Sequence, residues 1–218
     1  MMLELFAHPF SSYCQKVLIA FYENDTPFAY RMLGADQPRN SAEFARAWPL
    51  GKFPVLLDSG HAVMESSIII EHLHLRHPGA VRFLPLDADA ALQVRMLDRI
   101  FDHHVMYQVQ RVVNDALRPA ARRDVIEVEE AKAALERAYI WLDAHLAGRE
   151  WAAGGFGLAD CAAAPALFYA DWVHPIDPAH VNLRAYRARL LTRPSFARAV
   201  EEARPYRSYF PLGAPDRD

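Results

Sequence analysis

Cysteine is nearly absent from this 218-residue chain. Two residues, Cys14 and Cys161, are too few for a disulfide framework or a cysteine-based zinc site. No stretch approaches the roughly 18 uninterrupted apolar residues of a membrane span, and the opening MMLELFAHPF carries an acid where a secretory leader would carry bases. These absences point to a cytoplasmic protein with no membrane partner. An excess of basic charge is lacking as well. With 24 Lys and Arg against 27 Asp and Glu, the formal net charge of -3 offers nucleic acid no electrostatic footprint. Internal repeats and low-complexity tracts are missing too. What is present, 52% apolar and 23% charged residues, is the composition of a globular protein, and the length admits one large domain or two small ones.

Local pattern divides the chain. Leu3 to Ala7 reads as a strand, Pro9, Ser11 and Ser12 break it, and the periodic segment from Tyr13 to Tyr22 reads as a helix. Pro27 to Leu33 reads as a second strand. Asn40, with Glu43 three residues on, has the form of a capping box opening a short helix to Ala47. Phe53 to Leu57 and His61 to Met64 flank Asp58-Ser59-Gly60, a hairpin by its turn chemistry. Glu65-Ser66-Ser67 then opens an apolar helix ending before Pro78-Gly79. This β-α-β-α-β-β-α order calls for a small mixed sheet with helices packed on it.

Beyond Gly79 the strand signals stop. Residues 80–86 read as a linker, and Asp87 caps a long helix ending near Leu117 before Pro119. Val128, Ala131, Leu135, Ala138, Leu142 and Leu146 form one apolar stripe on a second helix, which Gly148 stops. Gly157 to Trp172 is Ala-rich and apolar all round, as at the centre of a bundle, with Pro165 expected to kink it. Asn182 caps a fourth helix and Pro194 starts a fifth. The expected organisation is an α/β domain at 1–79, the linker, and an all-α helical bundle at 87–218.

Three loop ends of the small sheet carry candidate chemistry. The first is Ser11-Ser12-Tyr13-Cys14 at a helix start, where unpaired N–H groups and the helix dipole favour an anion such as a thiolate. A C-x-x-C redox pair would occupy this junction, but Ser11 stands at its leading position, and a hydroxyl donates a hydrogen bond without forming a disulfide. Ser12 with Gln15 has the form of a capping box, which leaves Ser11 free. The second is Gly51-Lys52-Phe53-Pro54-Val55, where Pro54 suits a strand's first residue or a cis bond. If Val55 keeps a free edge, it can pair with an extended peptide, and Lys52 can meet a carboxylate. The third is Glu65-Ser66, a carboxylate cradle beside a negative charge suited to an ammonium group. A thiol, a peptide backbone and an amino acid head group are parts of one molecule, glutathione.

With these residues the sequence resembles the glutathione S-transferase family over nearly its whole length, in its soluble bacterial-type, serine-active-site branch. The resemblance is carried by HPFSSYCQKVLIAFYEN, WPLGKFPVLLDSGHAVMESSIIIEHL, GFGLADCAAAPALFYADW and RPSFARAVEEARPYRSYFPLG, and most of all by G-K-x-P-x-L followed by E-S. It implies a thioredoxin-like N-terminal domain, an all-helical C-terminal domain, a homodimer and a role in detoxification. Glutathione enters as co-substrate, with no other cofactor. Ser11 matches the serine that activates the thiol, Pro54 the cis-proline, Val55 the backbone partner of the cysteinyl part, Glu65 and Ser66 the γ-glutamyl anchors, and Lys52 a side chain near the glycine carboxylate. Two departures stand out. Gly157 replaces the Ser or Thr that often caps the central helix three residues before Asp160, and the S-S-C-S-W-R signature of the maleylacetoacetate-isomerising branch is absent.

Phe10, Tyr13, His103, Tyr107 and Arg111 are candidates for a pocket that takes a small electrophilic substrate. No metal is expected, because in the histidine cluster His72, His74 and His77 the first two point to nearly opposite sides of a helix. The reading is a transferase in which sulfur attacks carbon. Its rivals are a non-catalytic glutathione-binding or regulatory protein of the same fold, an isomerase, and a thiol reductase or peroxidase acting through Cys14, which stands where a resolving thiol would and lacks a nucleophilic partner.

Overall fold

The computed structural model describes residues 2–218. Four short strands, β1 (Leu3–Ala7), β2 (Phe28–Met32), β3 (Val55–Asp58) and β4 (His61–Met64), form one sheet in the order β2-β1-β3-β4. β1 and β2 are parallel, joined by the helix α1 (Ser12–Glu23), while β3 runs antiparallel to both its neighbours. Ser59 and Gly60 close the hairpin with φ of 53° and 85°, the mirror-image turn whose twist matches the strands. In one row of the register Phe6, Val55 and Met64 lie side by side. The chain leaving β1, entering β3 and leaving β4 therefore emerges at the same end of three adjacent strands.

The helix α2 (Pro38–Ala47) begins two residues before the expected Asn40. Pro38 takes the first helical position, where its fixed φ suits the helix and its missing N–H is not needed. Asn40 lies inside the first turn and links Arg31 Nε (3.0 Å) to the Met32 carbonyl (2.9 Å), and Glu43 pairs with Arg31 and Arg39 instead of closing a box. α3 (Ser66–Arg76) completes the α/β part.

Asp87 caps α4 (Ala88–Ile100) through the Ala90 N–H at 2.8 Å. The long helix expected to reach Leu117 is present, but Phe101–Met106 is π-helical before α5 (Tyr107–Leu117). Such a wider turn holds an extra residue and rotates everything after it by about 100° from a uniform helix. α6 (Val125–Leu146) buries the expected stripe, with Val128 only partly covered. α7 (Leu158–Val173) runs through Pro165 and buries every residue except Trp172. α8 (Val181–Thr192) and α9 (Pro194–Ala203) follow, then a 3-10 turn, Arg204–Tyr209. Asn182 does not cap α8. Its own N–H and that of Leu183 are taken by Asp143 of α6, at 2.8 and 2.9 Å.

Two polar networks stand out, one holding the start of α7 under the linker and one joining the two halves of the molecule. At the start of α7, Asp160 accepts from Gly157 N–H (2.9 Å), Ala152 N–H (2.9 Å) and the Tyr186 hydroxyl (2.6 Å). The Leu158 N–H donates to the Phe83 carbonyl of the linker. A side chain at Gly157 would place its Cβ 2.8 Å from that carbonyl, so the Ser or Thr common in the family does not fit under this linker. In the second network Lys16 of α1, 1% exposed, lies 2.6 Å from Asp98, 2.8 Å from Asp102 and 2.9 Å from the Ser67 hydroxyl of α3. Arg99 adds a second cation over Asp98 and Asp102, each at 2.6 Å.

Candidate active site

At the end of β1 the chain turns through His8–Phe10 into α1, and the residue that caps α1 is Ser11. Its hydroxyl oxygen accepts from the Cys14 N–H at 3.4 Å. This reverses the expected division of labour, in which Ser12 capped and Ser11 stayed free. Ser12 is instead the first helical residue, and the Gln15 amide that was to complete its box turns to the Pro9 carbonyl (2.9 Å) and the Tyr169 hydroxyl (3.2 Å). Capping still leaves Ser11 with its proton, because the hydroxyl accepts through a lone pair and keeps its O–H to give. The N–H groups of Ser12 and Tyr13 have no partner among the described residues. The Ser11 hydroxyl thus stands beside two free donors at the positive end of a helix dipole.

Cys14 is fully buried one turn in, its sulfur accepting from His8 N–H at 3.5 Å. Burial pushes its thiol up to about 12 against the smaller opposing effect of Ser11. A thiol so placed is protonated and out of reach of solvent, which tells against a reductase working through Cys14. Burial, with Asp102 second, likewise raises the Tyr13 phenol to about 12, so that it remains a donor.

The Phe53–Pro54 peptide is cis. Val55 does not meet the condition set for it. It is buried inside the sheet, paired with Phe6 on one side and Met64 on the other, because β3 is a central strand. Phe53, two residues earlier, stays outside the ladder, and its N–H and C=O have no partner among the described residues. Lys52 is exposed and makes no ion pair among them.

Glu65 precedes α3 with φ of 67°, a left-handed conformation in a residue other than glycine. Such backbone is disfavoured by about 1–3 kcal/mol and gathers where ligands are clamped. No side chain caps α3, and the N–H groups of Ser66, Ser67 and Ile68 are unpaired among the described residues. Ser66 is buried at the first helical position, with Glu65 exposed beside it. Ser11, Phe53-Pro54 and Glu65-Ser66 thus stand at one end of β1, β3 and β4, about 10 Å across at the usual strand spacing. That width suits an extended tripeptide.

Next to Ser11 is a cavity of about 250 Å3. Phe10 and Tyr13 line it as expected, but His103, Tyr107 and Arg111 do not. Its helical wall is Met106, Val109, Gln110, Val113 and Leu117, while His103 and Tyr107 are exposed and Arg111 is drawn to Gln108, Glu127 and Glu130. The expected trio recurs every fourth residue from His103, whereas the wall begins at Met106, where the π turn ends. The rest of the wall was not foreseen. Phe53, Tyr169 of α7, and Tyr209, Phe210 and Pro211 after α9 close the cavity. Tyr169 donates to the Phe10 carbonyl at 3.0 Å, tying the Ser11 loop to the helical half.

The model of the glutathione S-transferase N-terminal domain matches residues 5–80, and that of the C-terminal domain matches residues 126–189. The chain belongs to the glutathione S-transferase family. Its fold is the thioredoxin-like domain plus helical domain of that family. A glutathione S-transferase from Methylobacterium radiotolerans, solved in complex with glutathione sulfonate, is 32% identical over 92% of this chain and 95% of that one, with a TM-score of 0.78. Another from Methylobacillus flagellatus, with glutathione bound, is 26% identical over 90% of this chain and 98% of that one, also at 0.78. A glutathione transferase from Phanerochaete chrysosporium with oxidized glutathione shares the fold, at a TM-score of 0.83, 18% identity and coverage of 95% and 97%. Among proteins of curated function none matches the sequence. Among the described residues no helix is long and apolar enough to cross a membrane.

Proposed function

We propose that this glutathione S-transferase binds reduced glutathione across the ends of β1, β3 and β4 and keeps its sulfur as thiolate at Ser11 for attack on a small electrophile. The observation that carries the reading is the Ser11 hydroxyl, its proton unspent, beside the free N–H groups of Ser12 and Tyr13 at the mouth of a largely apolar cavity. In the bound peptide the γ-glutamyl carboxylate lies on the Ser66 hydroxyl and the first N–H groups of α3, and its ammonium faces Glu65. The cysteinyl backbone pairs with Phe53, which replaces Val55 in this role, at the turn made by Pro54. Lys52 reaches the glycine carboxylate. Glutathione is a co-substrate, and the reaction calls for no other cofactor.

The thiol gives its proton to solvent, and Ser11 O–H and the helix dipole stabilise the thiolate left behind. A sulfur lone pair then forms a bond to the electrophilic carbon in the cavity, while a leaving group departs with its bonding pair. Lowering a thiol pKa from about 8.5 to about 6.5 needs roughly 2.7 kcal/mol, the size of one charge-assisted hydrogen bond aided by a helix terminus. Near neutral pH the thiolate fraction without that help is lower by about twenty-fold. Ser11→Ala is therefore expected to lower kcat by at least about ten-fold, with glutathione KM changed no more than about three-fold. Unchanged turnover would remove Ser11 from the mechanism.

The proposal includes a homodimer in the cytoplasm, with no nucleic-acid or membrane partner. Ile68 and Leu75 on α3, and Leu92 and Met96 on α4, are 52%, 71%, 64% and 48% exposed, and α3 and α4 are linked by the Arg95–Glu71 ion pair, so these apolar side chains are the ones the proposed dimer would cover. Leu92→Glu with Met96→Glu should convert a dimer to a monomer in light scattering. A wild-type monomer at micromolar concentration would contradict this part of the reading.

A further inference from the structure

The other end of the sheet holds a second group of side chains that the glutathione reading does not use. Asp58 is the last residue of β3, at the hairpin turn, and His72 and His77 lie on α3 and at its C-terminal cap. Both imidazole Nε2 atoms are 2.8 Å from the same oxygen, Asp58 Oδ2, and one ligand atom from each of the three residues lies within 4.8 Å of the others. His74 is not part of this group. The third donor is instead a carboxylate 14 residues before His72, which helical spacing cannot reveal.

We propose that Asp58, His72 and His77 form a binding site for one divalent transition metal of the zinc, cobalt or nickel type. Two imidazole nitrogens and one carboxylate oxygen are the donors these borderline cations take, and three protein ligands leave a fourth, tetrahedral position for water. Bonds of about 2.1 Å in tetrahedral geometry set ligand atoms about 3.4 Å apart. The two His–Asp separations of 2.8 Å need to open by about 0.6 Å to reach that geometry, and all three ligand atoms already lie within 4.8 Å of one another. The side chains have room to do so, at 18% exposure for Asp58, 24% for His72 and 31% for His77, and that exposure is also the entry path. The outer shell is partly built. The Ser59 hydroxyl donates to Asp58 Oδ1 at 3.1 Å and leaves Oδ2 for the metal.

From Ser66 at the glutathione end to His77 the helix rises about 16 Å at 1.5 Å per residue. Metal here fastens the hairpin turn to the end of α3 and does not enter the transfer chemistry. Chelator-treated protein carrying no affinity tag should bind one equivalent of Co(II) with the visible bands of a four-coordinate site, and Zn(II) should displace it. His72→Gln, His77→Gln and Asp58→Asn, each checked for native circular dichroism, should weaken Zn(II) at least ten-fold in calorimetry, and wild type alone should gain thermal stability from Zn(II). Three parallel variants keep the test decisive if one fails to fold. Absence of saturable binding, or equal affinity in the folded variants, would show that the group is a hydrogen-bonded His-Asp-His cluster only and would overturn the proposal.

Discussion

Asp160→Ala is expected to lower stability by about 4 kcal/mol or more, and so to lower Tm by about 10 °C or more. Three donors converge on this carboxylate, from Ala152, Gly157 and Tyr186, all within 2.9 Å. Each buried donor left without a partner is unfavourable by about 1–3 kcal/mol. Solvent does not reach the site, since Asp160 and Tyr186 are both almost wholly enclosed. Burial holds the Asp160 carboxyl above its ordinary range against the pull of these donors, so the network is tightly enclosed as well as complete. Asp160→Asn keeps one acceptor but turns an N–H2 toward a donor, and should lose about half as much. Denaturant unfolding of the two variants measures both values. A loss below about 1 kcal/mol for Asp160→Ala would mean that Gly157 and the linker carbonyl of Phe83 hold the start of α7 without it.

Removal of Lys16 is the second large effect. Asp98 and Asp102 share its ammonium at the contact between α1, α3 and the helix α4, and Lys16 and Asp98 are closed off from solvent. Taking one partner from such a cluster strands charge in a low-dielectric site, and the typical loss is about 3–5 kcal/mol. Lys16→Met should therefore fall by that amount, with Arg99 too exposed to compensate. Lys16→Met with Asp102→Asn restores neutrality around Arg99 and Asp98 and should recover a large part of the loss. Urea unfolding of the single and double variants provides the comparison. Equal stability in the two would show that the ammonium acts through packing and not through charge. Because the cluster spans both halves of the molecule, the single variant should also lose cooperativity between them.

The element order was legible in the sequence because each element carries its own local signal. The Ser59-Gly60 turn needs positive φ, the α6 stripe repeats at helical period, and α7 has almost no polar residue to expose. Site details that depend on contacts distant in sequence were not legible. Whether Ser11 or Ser12 caps α1 is decided by where the Gln15 amide goes, and one of its partners is Tyr169, 154 residues away. Asn182 was read as a cap although the acceptor sits on Asp143 of another helix. Whether Val55 keeps a free edge is not legible, because the hairpin alone does not show that β1 lies on its other side. The cavity wall was misread for two reasons: the π turn shifts the helix face, and the closing residues Tyr209 to Pro211 lie in a tail with no motif. Lys16 carries no local signal of its ion-pair partners, which lie on a distant helix, and it is among the most buried side chains in the molecule.

The account rests on Ser11 lowering the pKa of the glutathione thiol, and the ultraviolet thiolate band of bound glutathione reports that pKa directly. Titrated against pH, the band should rise near pH 6.5 in the wild-type complex and about two pH units higher in Ser11→Ala, close to an ordinary thiol. The same midpoint in both proteins would contradict the central claim and assign the thiolate to the free N–H groups of Ser12 and Tyr13 alone.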